Sequence, residues 1–537
     1  MAENLAGAKP SRRSPSGAVR SSRNPCYKAG MHVFETILIL LMAATVLSSL
    51  ARKAGIPYPT LLALGGALLA FVPGGPRLEL PPELILALFV APVLLDAAYD
   101  ASLRDLRRNW AAVSSLALVA VALTTLAVAV AARAVFPDLP WPAAIALGAL
   151  VAPPDAVAAL AVLRQVNPPY RIRSILEGES LLNDASALLI YRLAVVAAAT
   201  GSFSLAGAAP MFALVFAGSV VAGWLGARLI GALSTRFTDA PSAVIFQFVT
   251  TFALWLLAER LGLSGVVTVV VAGLTVARRS ITPLAARLRV PSFAIWETVT
   301  VVLNVLAFTL IGLQLGPILE GLTSADRARY LGGALVVLAV VVGVRLAWVL
   351  LHTAGSHLIH RRHGSPLGWR GATVVGWSGM RGVVTLAAAM ALPAGFPYRD
   401  FIQLTAFVVV LGTLVLQGLT LRPLLALFRL PADSQLHAEL QLAREAALKA
   451  GMKAVDGDES PAAHRLRDHY AEALGLSRSG ADPYEASGNL LQRRMVAASR
   501  EAIAELRSRS IIGDEAYRAA EAELDLLELS ALPPAAA

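Results

Sequence analysis

The chain has 537 residues, of which 56% are hydrophobic and only 15% charged, with a mean hydropathy of +0.65. Soluble domains carry roughly a quarter charged residues, which excludes an ordinary soluble protein. The net charge of +10 does not mark a nucleic-acid face, because Lys and Arg fall mostly in short connections between apolar runs, and the single Cys26 excludes an intramolecular disulfide framework.

Taken in order, those apolar runs predict an all-α polytopic membrane protein with about thirteen transmembrane helices, each near the ~20 residues that cross a hydrocarbon core. The spans are expected near 32–51, 59–72, 82–98, 110–136, 141–163, 174–199 and 205–233, then near 241–258, 261–277, 292–315, 330–354, 368–392 and 401–427. Residues 32–430 therefore form the membrane domain. Alternate connections differ sharply in charge: Arg52, Lys53, Arg104, Arg107, Arg171, Arg278 and Arg361 belong to the richer set, about sixteen basic residues against about six. By the positive-inside pattern that set faces the cytoplasm, and so does the tail.

Residues 1–31 carry Lys9, Arg12, Arg13, Arg20, Arg23 and Lys28 on the side that should lack them. They are read as a disordered leader, or as a start placed upstream of a true one at Met31, since they lack the apolar core of a cleavable signal. Residues 431–537 are charged and Ala-rich, with Leu506, Ile511, Leu524 and Leu527 punctuating Arg and Glu. They predict a helical cytoplasmic tail that tethers, dimerises or regulates.

Ionisable groups inside apolar spans are costly and mark function. Four stand out: Asp155 after Pro153-Pro154, Glu179 and Asp184 in Glu177-Gly178-Glu179-Ser180-Leu181-Leu182-Asn183-Asp184, and Arg381 in Ser378-Gly379-Met380-Arg381-Gly382. Two prolines remove two backbone donors and disfavour helix before them, so the fifth span must break there. Broken backbone is tolerated in a membrane only around a protein cavity or aqueous site, which sets Asp155 and the Pro154 carbonyl beside each other as hard oxygen ligands. Gly379 and Gly382 interrupt the twelfth span at comparable depth. Two broken helices of this kind are what crossed-helix transporter sites require, with Arg381 neutralising a carboxylate or half-helix ends at the crossing.

Ser180 and Asp184 are four residues apart and share a helix face, whereas Glu179 points elsewhere. Ser180 and Asp184 are assigned to a cation cavity with Asp155 and Pro154. Glu179 is assigned to an ion pair with Arg381, and Asn183 to a hydrogen bond with the loose backbone of the fifth span. If Asp184 holds either one proton or one sodium ion, and only the loaded carrier rearranges, the two ions are exchanged across the membrane. Arg345 and Asp96 are further charges in apolar spans for which the sequence offers no partner.

At these motifs the chain resembles the monovalent cation/proton antiporters, specifically the sodium/proton exchanger branch with bacterial NhaP-like members, over roughly 32–430. The resemblance implies that Asn183-Asp184 marks electroneutral exchange, that Asp184, Ser180 and Asp155 are ligands, and that Glu179 and Arg381 are the supporting ion pair. It also implies inverted repeats, a mobile six-helix core and a homodimer in the cell (inner) membrane. Where many members have Thr-Asp-Pro, this chain has Pro154-Asp155-Ala156. The missing hydroxyl leaves potassium or lithium in place of sodium as an alternative cargo. A pH- or sodium-sensing receptor is the alternative of another class. An enzyme is not expected, because a zinc motif and an activated Ser or Cys are both missing, and no cofactor is expected beyond the transported ions.

Overall fold

The computed structural model describes residues 25–73, 81–163, 168–201, 205–237, 239–279, 286–359, 368–430, 434–509, 511 and 514–531. Among these residues every regular element is helical. The chain divides into two compact units after Leu430.

In the first unit the helices are α1 (Pro25–Ala54), α2 (Tyr58–Leu69), α3 (82–100), α4 (Trp110–Val135), α5 (Trp141–Val151), α6 (Ala156–Leu163) and α7 (Tyr170–Thr200). They continue as α8 (Leu205–Ser234), α9 (Ala240–Arg260), α10 (Gly265–Arg279), α11 (Ala286–Leu313), α12 (Ser324–Ile359), α13 (Trp369–Trp377), α14 (Val383–Met390) and α15 (Arg399–Phe428). Among the described residues seven helices are long and apolar enough to cross a membrane, and shorter apolar helices accompany them. Every expected span falls on a helix or on a pair of half-helices. Residues 25–31, assigned to a disordered leader, are helical and form the first turns of α1, while residues 1–24 lie outside the described part.

Two groups of helices are visible within this unit. In one, α2 packs on α11, α8 on α10, α10 on α3, and α9 on both α10 and α11. In the other, α4 packs on α5 and α12, α5 on α7, and α12 on α13 and α15. This second group contains the order long helix, broken helix, long helix twice: α4, α5–α6, α7 and then α12, α13–α14, α15. Its core is close-packed and small-residue-rich around Ala143, Ala146, Leu147, Ala149, Val374, Ala388, Phe401 and Val410. Small residues let helix backbones approach closely where lipid supplies no hydrophobic drive.

At one end of α7 a short helix, Leu103–Arg108, is tied down by polar contacts. Buried Asp105 accepts from the Tyr170 hydroxyl at 2.8 Å, Asn109 Nδ2 donates to the Asp105 carbonyl at 3.0 Å, and Arg171 Nε donates to Asn109 Oδ1 at 3.2 Å. Burial opposes the Asp105 charge, but the Ser102 and Tyr170 hydrogen bonds and the charges of Arg104 and Arg108 outweigh it and hold the carboxyl below its ordinary pKa.

Among its described residues the second unit has four α-helices, α16 (Ser434–Ala454), α17 (Pro461–Ser479), α18 (Ser487–Ser508) and α19 (Asp514–Ala531). The stretch with apolar punctuation is thus two helices, and they run antiparallel. Gln492 donates to the Leu527 carbonyl at 2.8 Å, and Arg500 meets Glu528 at 2.6 Å and also pairs with Asp525.

Candidate functional site

The two breaks meet. Between α5 and α6 the chain leaves helix at 152–155, and between α13 and α14 at 378–382. The backbone N–H of Asp155 donates to the Met380 carbonyl at 2.6 Å, so each break satisfies a group that the other exposes. Pro153 and Pro154 explain the first break. At the second, Gly382 is needed for space: a Cβ there would collide with the Asp155 carboxylate, although its extended backbone suits any residue.

Arg381 is the largest fully buried side chain among the described residues. Its Nε donates to the Val151 carbonyl at 3.0 Å and its Nη2 to the Ala152 carbonyl at 3.2 Å, with Nη1 bonded to the Gly379 carbonyl. These are the orphan carbonyls at the C-terminal end of half-helix α5 and in the second break. The Arg381 backbone N–H is in turn held by the Thr413 hydroxyl of α15 at 3.0 Å.

The expected pairing of Glu179 with Arg381 is corrected. Glu179 pairs with Arg345 of α12, Oε1 to Nη1 at 2.5 Å and Oε2 to Nη2 at 2.9 Å. Arg345 also donates to the Gly376 and Val375 carbonyls, both at 3.2 Å, at the C-terminal end of half-helix α13. The reason is geometric. Arg381 spends its fork on the α5 carbonyls, while Arg345 reaches the α13 end from a neighbouring helix and has capacity left for a carboxylate. Each broken helix thus has one arginine at its negative inner end.

The N-terminal ends of the other two halves share one acid. Asp155 Oδ1 accepts from Val157 N at 2.8 Å, capping α6, and the same carboxylate lies against Gly382, the residue that opens α14. Helix N-termini carry about half a positive charge each and C-termini about half a negative one. Arg345 and Arg381, less Glu179 and the ends of α5 and α13, therefore sum to nearly zero. Asp155 and the ends of α6 and α14 also cancel.

Asp184 is left over. It is buried on α7, one turn from half-buried Ser180, and among the described residues it has neither a hydrogen-bond donor nor an ion-pair partner. Beside it Asn183 Nδ2 donates to the Pro154 carbonyl at 2.8 Å, while Asn183 Oδ1 is buried without a partner in the described residues. Asp155, Pro154, Asn183 and Asp184 therefore converge, and Glu179 faces away toward α12. Asp96 meets the Thr300 hydroxyl of α11 at 3.5 Å.

Sequence reasoning singled out Arg345 but not its partner Glu179, and it missed Thr413 and the Met380 carbonyl. A lone arginine in the apolar stretch Val340-Val341-Val342-Gly343-Val344-Arg345-Leu346 needs a buried acid, and that signal was present.

Helices broken in pairs around buried carboxylates define a secondary transporter of monovalent cations. Residues 37–427 match the family described as sodium/hydrogen exchanger, transmembrane, and the chain belongs to that family. It is 32% identical over 530 residues to a protein of Mycobacterium tuberculosis described as an uncharacterized Na(+)/H(+) exchanger, covering 93% of this chain and 96% of that one. It is 31% identical over 484 residues to the sodium, potassium, lithium and rubidium/H(+) antiporter of Bacillus pumilus, covering 85% and 71%. The fold is similar to the structure of a sodium proton antiporter from Methanocaldococcus jannaschii at pH 8, with a TM-score of 0.58, 20% identity, and coverage of 74% of this chain and 98% of that one.

Proposed function

We propose that this protein exchanges sodium for protons, one for one, at Asp184. The observation that carries this reading is the isolation of that carboxylate: buried, without a donor among the described residues, and next to Asn183, whose amide reaches the Pro154 carbonyl beside Asp155, while the other charges at the crossing are balanced. A bare carboxylate in such a place costs several kcal/mol. Only one added positive charge relieves it, and a proton or a monovalent cation does so equally well.

Asp155, the Pro154 carbonyl and Ser180 supply oxygen ligands to the cation, and Asn183 steadies the Pro154 peptide through its amide. Glu179, Arg345 and Arg381 stay fixed and balance the half-helices. Two ions competing for one site, with only the neutral loaded carrier rearranging, gives electroneutral alternating access. The helix group bearing both breaks moves against the group formed by α1 to α3 and α8 to α11. In this reading the Arg-rich connections and the tail face the cytoplasm, and the protein works as a homodimer in the cell membrane.

Potassium or lithium exchange is the second reading. Its support is the Pro154 position, which offers a carbonyl and no side-chain oxygen, together with the broad cation range in the name of the Bacillus pumilus relative. Proteoliposomes with an imposed pH gradient, challenged with each cation in turn, test both. Sodium should dissipate the gradient, and Asp184→Asn should abolish the response; an unchanged rate in that variant contradicts the assignment.

A further inference from the structure

On α7, Asp184, Leu188 and Arg192 follow one another at four-residue steps, so one face of the helix leads from the carboxylate toward Thr200. Leu188, with Leu182 and Ala185, packs against a buried apolar cluster that includes Leu181, Trp255, Val266 and Val270. That cluster joins α7 to α9 and α10, which belong to the other group of helices.

Beyond this plug, Arg192 Nη2 donates to both carboxylate oxygens of Glu259, at 2.9 and 2.8 Å. Glu259 is also held from its own side, because its Oε1 accepts from Gly265 N at 3.1 Å where α10 begins. The pair therefore links the helix that carries Asp184 to the group that carries neither break. It is partly exposed, 47% for Arg192 and 34% for Glu259, unlike the Glu179–Arg345 pair at 1% and 3%. Partly exposed pairs are weak enough to break and re-form in every cycle, and a buried one is not.

We propose that Arg192 and Glu259 form a latch that closes the route to Asp184 from the Thr200 end of α7 and opens whenever that route is used. This rests on the alternating-access reading above. The latch holds by charge, so Glu259→Gln releases it while the amide carbonyl still accepts the Gly265 N–H. Reversing both charges closes it again.

The test is accessibility of position 188. In full-length protein carrying Cys26→Ser and Leu188→Cys, reaction with a membrane-impermeant maleimide is timed in right-side-out and in inverted vesicles. Glu259→Gln and Arg192→Gln should each raise the rate about three- to tenfold from one face only. Arg192→Glu with Glu259→Arg should return it to the parent rate. Unchanged labelling in both neutral variants, a rise from both faces, or a double reversal that labels as fast as the single variants overturns the latch. Labelling reads the route itself, so absence of sodium/proton exchange in the parent protein is a separate failure, that of the proposed function.

Discussion

Glu179 and Arg345 form a two-point ion pair at 2.5 and 2.9 Å in the buried centre of the bundle, five residues from Asp184 along α7 yet turned away from it. Two acids close together on one helix thus have opposite situations. One is fully compensated by a guanidinium, and the other has no compensation except an ion that can leave.

Removing one partner of the Glu179–Arg345 pair leaves an unpaired buried charge. Glu179→Gln and Arg345→Met should each destabilise the protein by about 3–5 kcal/mol, whereas the double variant Glu179→Leu with Arg345→Met should lose much less. Thermal unfolding of the purified protein in detergent measures this. Additive losses in the double variant would count against a coupled pair.

Space at the crossing is the second point. Gly382→Ala should abolish transport, because the added methyl occupies the Asp155 carboxylate, while Gly395→Ala, with nothing within 4 Å, should behave as the parent. Initial exchange rates at matched protein amounts compare them, and an active Gly382→Ala variant would refute the contact.

One-for-one exchange of sodium and a proton at Asp184, as proposed, moves no net charge and should therefore be insensitive to membrane potential. Imposing a potential on proteoliposomes with an ionophore should leave the sodium/proton exchange rate unchanged. Asn183→Asp adds one negative charge and removes the donor to Pro154, so any exchange that survives in it should become sensitive to potential. A potential-dependent parent would contradict the one-for-one stoichiometry.

Asp105 has its carboxyl pKa depressed in the folded protein, so its contribution is present above the unfolded value of about 4 and is lost as pH falls through the lower folded one. Tyr170→Phe removes one of the hydrogen bonds that hold the charge. It should cost about 1–2 kcal/mol at neutral pH and show a smaller loss once the pH has fallen below the depressed folded pKa, where both states are protonated. Unfolding midpoints at the two pH values check the sign.

Much of this site was legible in the residues. Two consecutive prolines, Pro153 and Pro154, remove adjacent backbone donors and break a helix, Gly379 and Gly382 flank a buried arginine, and the four-residue spacing of Ser180 and Asp184 fixes a common face. The partner of Glu179 was not legible. Choosing between Arg345 and Arg381 depends on which arginine spends its donors on the carbonyls of a broken helix, and that is set by how α12 packs on α13 and how α5 crosses α14. Spacing along one helix carries no such information. The helical form of 25–31 was likewise not legible, because their polar composition predicted disorder and nothing in polar residues prevents a helix from continuing through them.

Competition at Asp184 is tested most directly by measuring proton release as sodium binds to purified protein, by calorimetry in buffers of different ionisation enthalpy across a range of pH. One proton should leave per sodium bound at low pH, with apparent affinity weakening about tenfold per pH unit on the acidic side, and Asp184→Asn should release none. Sodium binding that frees no proton and keeps the same affinity as the solution is acidified would contradict the account.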